Sequence, residues 1–243
     1  MDQLRLDKII ADAGLASRRE AAQLIKNGFV TVGGRSALSG AEKYDPEKTE
    51  IIVKGRALTY RRHCYLMMNK PAGYVSSTED RKEKTVMSLL DGVYVRLDLF
   101  PAGRLDKDAE GLLILTDDGD YAHRIITPSK KVYKTYYVET DGALSGDDAA
   151  AFRDGVVLRD GLHCLPARLD ILTSGDKSTA YVVIREGKYH QVKRMLASRG
   201  KRVTYLKRVA IGGLKLDGRL EAGQYRELTA EEAWAVFSGD SDY

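Results

Sequence analysis

The run GRLDKDAEGLLILTDDG, residues 103–119, sets Asp106, Asp108, Glu110, Asp117 and Asp118 around a short, nearly continuous apolar segment. A segment of that length between turn-forming residues reads as a buried strand, GLLIL, entered from an acidic loop and left through a D-D-G-D turn. Asp117, Asp118 and Asp120 suit the start of a helix, where unpaired N–H groups and the helix dipole favour acids. A calcium loop at this turn would need a downstream Glu and spaced oxygen ligands that are missing. Glu110, at the mouth of the strand, reads as a solvated edge charge. Asp106 and Asp108 remain as the carboxylates open to chemistry.

Outward from this strand the chain is rich in further strands. YLMMN and GYVSS flank the turn Lys70-Pro71-Ala72-Gly73, and TVMSLL makes one or two helical turns. TDDGDYAHRII turns into a helix, KVYKTYYVET is a strand, SGDDAAAFRDG a helix, and ARLDILT and STAYVVIRE are two more strands. KYHQVKRMLASRG is helical up to Gly200, KRVTYLKRVAIGG is a strand, and TAEEAWAVF is a closing helix. Helices mixed irregularly among strands predict an α+β domain with a mixed, largely antiparallel sheet flanked by helices. The charged connector EIIVKGRALTYRRH precedes it, which places a domain boundary near residue 60 and gives domains 1–60 and 61–243.

The N-terminal module has a different grain. Leu6, Ile9, Ile10 and Ala13 follow helical spacing up to Gly14. Ser17 and Glu20 form a capping box for a second helix, buried through Ala21, Leu24 and Ile25 and stopped by Gly28. FVTV then turns through Gly33-Gly34. Arg5, Lys8, Arg18, Arg19 and Lys26 lie off the apolar stripes, where a curved polyanion could touch several at once. Residues 1–62 hold 12 Lys+Arg against 8 Asp+Glu, which accounts for the whole +4 of the chain. A second basic zone, residues 185–208, carries nine Lys+Arg and one acid. Either zone alone is also compatible with a solvated face.

The composition excludes several classes. With 43% hydrophobic residues in a 243-residue chain, a sizeable core is available. Two cysteines without a C-x-x-C pair and four scattered histidines support neither a disulfide framework nor a zinc cluster, so no metal is expected. MDQLRLDKIIAD lacks the apolar core of a secretory signal, and no run reaches the length of a membrane span. The expected location is the cytoplasm.

Two carboxylates beside one sugar would suit glycosidase chemistry, but Asp106 and Asp108 leave an extended loop on the same side, which favours a single working carboxylate. Arg104 and the apolar Leu105 precede Asp106, so the loop can hold it partly desolvated at the mouth of a pocket. A structural salt bridge fits the same pattern. A desolvated Asp stays ionised beside a cation. In the helix after Glu186, Val192, Met195 and Leu196 form an apolar face, while His190, Lys193 and Arg194 gather on the other. That second face can set a cation beside Asp106 or can be simply the solvated side of a surface helix. In KVYKTYYVET, Tyr136 alternates into line with Val132, Lys134 and Val138; a tyrosine there either packs in the core or holds a flat base.

These segments carry a resemblance. RLDKIIADAGLASRREAAQLIKNGFVTVGGR, from Arg5 to Arg35, resembles the S4 RNA-binding domain. Behind it NKPAGYVSS (69–77), AGRLDKDAEGLLILTDDGDYAHRI (102–125), KTYYV (134–138) and EGKYHQVKRM (186–195) resemble, in that order, the bacterial ribosomal RNA pseudouridine synthases. The resemblance implies isomerisation of a uridine within RNA to pseudouridine, without a cofactor. It makes Asp106 the nucleophile and Tyr136 the aromatic partner. Lys193 becomes the basic partner where the family admits Lys or Arg, with Arg194 as a possible substitute. It assigns Arg104, His190 and Gln191 to holding the RNA strand open and the S4 cations to clamping it. Tyr-His in EGKYHQVKRM points to the small-subunit branch, the large-subunit enzymes tending to read Arg and Asn there. The implied partner is ribosomal RNA or a partly assembled ribosomal subunit, met by a monomer.

Overall fold

The computed structural model describes residues 3–239. Packing divides the chain into two units, one reaching to Cys64 and including Leu90–Leu99, the other formed by Tyr65–Leu89 and the chain from Phe100 onward. The boundary expected near residue 60 thus falls at 64/65, and ten later residues return to the first unit. The reason is tertiary: Gly14, at φ +70°, lies where a Cβ would sit 3.1 Å from the Val93 carbonyl, and Arg96 donates to the Leu15 carbonyl at 2.9 Å. Composition along the chain carries no sign of such a return. Among the described residues no helix is long and apolar enough to cross a membrane.

In the first unit, α1 (Leu6–Asp12) and α2 (Arg18–Lys26) form where helical spacing places them. Leu6, Ile9, Ile10, Ala21 and Ile25 are buried with Val30, Ile51 and Val53 in one core. The Ser17–Glu20 capping box is made in both directions, Ser17 N–H donating to Glu20 Oε2 at 2.7 Å and Glu20 N–H to Ser17 Oγ at 3.3 Å. Positive φ at both Gly33 and Gly34 makes the tight hairpin between Val30–Val32 and Arg35–Ser36, and Ile51–Val53 and Arg56–Ala57 extend that sheet to four strands.

The second unit is built on a nine-stranded sheet. Its principal strands are β1 (Tyr65–Lys70), β2 (Glu110–Thr116), β3 (Lys134–Asp141), β4 (Arg168–Thr173), β5 (Lys177–Ile184), β6 (Arg202–Ile211) and β7 (Tyr225–Glu227). They lie in the order β4-β5-β3-β6-β2-β1-β7, every pair antiparallel except β6 with β2. Two-residue strands, Phe100–Pro101 on β2 and Leu214–Lys215 on β6, complete it. The sheet is therefore mixed and largely antiparallel, and α3 (Gly119–Ile126), α4 (Gly146–Asp154), α5 (Gln191–Ser198) and α6 (Ala230–Ala235) flank it. β2 is the apolar run of the opening stretch, buried along nearly its whole length as a central strand must be.

Gly111 fixes how β2 meets β6. Its φ is +103°, and a Cβ there would sit 2.2 Å from the Arg208 carbonyl oxygen. Only glycine allows the two strands to approach at this point, which is also where the loop carrying Asp106 feeds into the sheet.

Candidate active site

The loop 103–109 is anchored from three sides. Ser76 Oγ donates to the Leu105 carbonyl at 3.0 Å and accepts from the Leu105 N–H at 3.1 Å. Lys70, at the end of β1 and fully buried, donates from Nζ to the carbonyls of Ala109 (2.7 Å), Pro71 (3.0 Å) and Lys107 (3.3 Å). Arg208 on β6, also buried, donates from Nε to the Leu112 carbonyl at 2.8 Å and from Nη1 to the Arg104 carbonyl at 3.5 Å. Every one of these bonds runs to the backbone, so the position of Asp106 is set by the loop rather than by its own side chain.

α5 supplies the cation. Val192, Met195 and Leu196 are buried, and the opposite face carries Lys193 to within 3.1 Å of Asp106 Oδ2 and 2.5 Å of Asp108 Oδ1. Lys193 therefore bridges both carboxylates. Asp106 is 23% exposed and Asp108 74%, so the first faces the protein and the second the solvent. Burial pulls the Lys193 ammonium down, but its hydrogen bonds to Asp108 and Asp106 outweigh that and hold it above the ordinary lysine value. The same bond from Lys193 is the chief reason that Asp108 lies below the usual carboxylate range. Lys70 is driven the other way, to about 8, by burial, with Asp108, Asp106 and Glu110 opposing the shift.

A cleft of about 470 Å³ opens over this pair, lined by Arg104, Asp106, Tyr136, Tyr189 and His190 among others. Tyr136 reaches it from β3, on the inward face with Lys134 and Val138, as strand alternation predicts. The Arg208 guanidinium carbon stands 6.0 Å from the Tyr136 ring centroid, and its Nη2 is buried with no hydrogen-bond partner. His190 Nε2 lies 3.7 Å from Asp106 Oδ1, beyond hydrogen-bond length. A larger concavity, about 580 Å³, lies elsewhere on the sheet beside Tyr137, Tyr181 and Lys207 and holds neither Asp106 nor Lys193.

Asp106, Tyr136, Lys193, Arg104 and His190 thus come together as the sequence predicts. Gln191 lines the same cleft, Lys193 reaches Asp106 from outside the cleft lining, and Arg194 pairs elsewhere. Gln191 is largely buried, its amide donating to Glu186 Oε1 at 2.7 Å and its Oε1 accepting from the Lys188 N–H at 2.9 Å, so it shapes the loop before α5 at the wall of the cleft. Arg194 turns instead to pair with Asp160. Glu110 is not a free edge charge, because Tyr205 donates to it at 2.8 Å. Asp118 caps α3, accepting from the Tyr121 N–H at 3.0 Å.

In the first unit, Arg5 and Arg18 both pair with Asp7, whose carboxyl is held low first by the Arg5 hydrogen bond, and Lys8 pairs with Asp12. Arg19 and Lys26 are exposed. Three of those five expected cations are therefore internally compensated.

Lys70, Ser76 and Arg208 are the contributors that sequence reasoning passed over. A signal existed for Arg208: in β6 it alternates with Leu206 and Ala210, and a charge on the inward face of a strand is costly unless it has work to do.

This arrangement of an S4-like unit and a mixed sheet agrees with what comparison finds. Residues 64–198 match the model of the RNA pseudouridylate synthase family, and residues 4–49 that of the S4 domain. The chain belongs to the RNA pseudouridylate synthase family and is an RNA pseudouridine synthase with an N-terminal S4 domain. Among its relatives is the uncharacterized RNA pseudouridine synthase YtzG of Bacillus subtilis, 45% identical over 94% of this chain and 96% of the relative. The ribosomal small subunit pseudouridine synthases A of Vibrio cholerae and Escherichia coli are 43% and 41% identical, each over 96% of this chain and 100% of the relative. A crystal structure of a pseudouridylate synthase aligns with a TM-score of 0.66 at 38% identity, covering 96% of this chain and 99% of that one.

Proposed function

We propose that this enzyme isomerises one uridine of small-subunit ribosomal RNA to pseudouridine, with Asp106 as the working carboxylate and no cofactor. The observation that carries the reading is the Lys193–Asp106 contact at 3.1 Å, with Asp106 lining a cleft of about 470 Å³, wide enough for a nucleoside. Lys193 aims the carboxylate, and Asp106 acts on the target nucleoside covalently or as a base at the ribose. The bond from N1 to the sugar breaks, the base turns, and a bond from C5 to the same carbon replaces it. The C5 proton leaves to solvent and N1 gains one, so the product is an isomer. Tyr136 faces the detached ring and assists departure of the C5 proton.

The target uridine must leave its stack, at a cost of a few kcal/mol. Arg104 and His190, at the cleft, are placed to hold the displaced strand, and Arg19 and Lys26 lead the phosphate contacts of the S4 unit. The small-subunit assignment rests on the relatives that bear that name at 41–43% identity over essentially their full length. The enzyme works as a monomer in the cytoplasm, on ribosomal RNA or a partly assembled subunit.

Purified protein is expected to release tritium from C5-labelled uridine in small-subunit ribosomal RNA. Asp106→Asn should abolish release while RNA affinity stays within about 1 kcal/mol. Turnover by that variant would defeat the role given to Asp106. Mapping pseudouridines in ribosomal RNA from a strain lacking the protein decides the subunit: a site lost from the large subunit alone would overturn the assignment.

A further inference from the structure

At the lip of the cleft, Tyr189 and His190 stand ring on ring, centroids 3.9 Å apart and planes 16° from parallel. Sequence neighbours stack here with His190 in the left-handed conformation, φ +48°, which a residue with a side chain enters at an energetic cost. The surroundings enforce it. Glu186, itself buried, accepts from the Leu165 N–H at 2.8 Å and from the Gln191 amide. Gln191 in turn accepts from the Lys188 N–H, and Arg194 donates to the Tyr189 carbonyl at 3.4 Å. A loop fixed at so many points presents its two rings ready-made.

The two rings differ in what they face. His190 points its Nε2 toward Asp106, whereas Tyr189 is 76% exposed despite being a large aromatic beside a built cleft. One side of the phenol ring rests on the imidazole, leaving the other open to solvent. The 3.9 Å step between rings is close to the ~3.4 Å rise between stacked bases, so the pair is the beginning of a stack that a nucleic acid can continue.

We propose that Tyr189 is a stacking platform for the nucleotide next to the everted uridine: once the target base has entered the cleft at Asp106, the neighbouring base settles on the open face of the phenol ring. This rests on the reading of Asp106 as the place where the uridine arrives. Stacking on an aromatic face is tolerant of base identity, so Tyr189 determines how firmly the opened strand is held and does not read its sequence. The hydroxyl has no part in it.

The test compares Tyr189→Ala, Tyr189→Phe and Tyr189→Trp in the full-length enzyme, using tritium release from C5-labelled small-subunit ribosomal RNA and filter binding of the same transcript. Tyr189→Ala should raise the half-saturating RNA concentration and the Kd about tenfold, with turnover at saturation changed less than threefold. Phe and Trp keep a ring face and should restore both to within about twofold. A 2-aminopurine placed beside the mapped target should be quenched on binding by the wild type and by Tyr189→Phe, and not by Tyr189→Ala. Loss of activity in Tyr189→Phe equal to that in Tyr189→Ala would assign the work to the hydroxyl and overturn the proposal, as would unchanged binding by Tyr189→Ala. A wild type that releases no tritium defeats the proposed reaction, while the binding comparison still decides the platform.

Discussion

Replacing Lys70 with Met removes a charge that the fold buries completely and keeps most of the side-chain volume. In the native state the Lys70 pKa is drawn down to about 8 by burial, from 10.5 in an exposed lysine. The unfolded chain therefore binds more protons than the folded one between pH 8 and 10.5, so this residue makes stability rise with pH across that window. At neutral pH the unfavourable contribution is about 3 kcal/mol, and about 2 kcal/mol of it is recovered by pH 9.5. Against this, the variant strands the carbonyls of Pro71 and Ala109, at about 1–3 kcal/mol each, while the Lys107 carbonyl keeps the Gly73 N–H at 2.7 Å. The opposing amounts overlap, so Lys70→Met should stay folded at pH 7, with stability within about 3 kcal/mol of the wild type. Activity should not survive as well: loosened at Ala109 and Lys107, the loop holds Asp106 less firmly, and a misplacement of about 1 Å costs about 100-fold. Urea denaturation of both proteins at pH 7 and 9.5, with tritium release at pH 7, reads all of this. The wild type should gain about 2 kcal/mol over the variant between the two pH values. Parallel pH profiles, or full activity in the variant, would refute the reasoning.

The Gly111→Ala change should destabilise the catalytic unit by about 3 kcal/mol or more, measured by urea denaturation, because the new Cβ collides with the Arg208 carbonyl at a backbone angle that disfavours any side chain. Ser17→Ala should cost about 1 kcal/mol by opening the cap of α2. Amide exchange should speed up in the first unit, at Glu20 foremost, with the catalytic sheet unaffected.

Much of this architecture could be read along the chain because its elements follow their own local rules. The spacing of Leu6, Ile9 and Ile10, the Ser17–Glu20 box, the unbroken apolar run of β2 and the alternation of Lys134, Tyr136 and Val138 each report a periodicity that the packed structure keeps. The Asp106–Lys193 pair was reachable by a chemical demand: a half-buried carboxylate needs a cation, and α5 has one on its free face. What escaped depends on contacts between distant positions. Arg194 and Lys193 are adjacent and both cationic, and only the place of Asp160 decides that Arg194 turns elsewhere. Gln191 looks like a polar reader of RNA until Glu186 is found five residues earlier facing it inside the protein. Lys70 sat in what read as a simple Pro/Gly turn, since a side chain whose partners are backbone carbonyls leaves no pattern of residue types.

The return of Leu90–Leu99 to the first unit means that the polypeptide passes between the two bodies three times instead of once. The first unit is therefore discontinuous in sequence. A gene splice at residue 64 would deliver an N-terminal fragment stripped of ten residues of its own packing, with Gly14 facing solvent where Val93 belongs, and would leave those ten residues as an orphaned insert in the recipient. Exchange of RNA-binding modules among enzymes of this build would have to carry both pieces together.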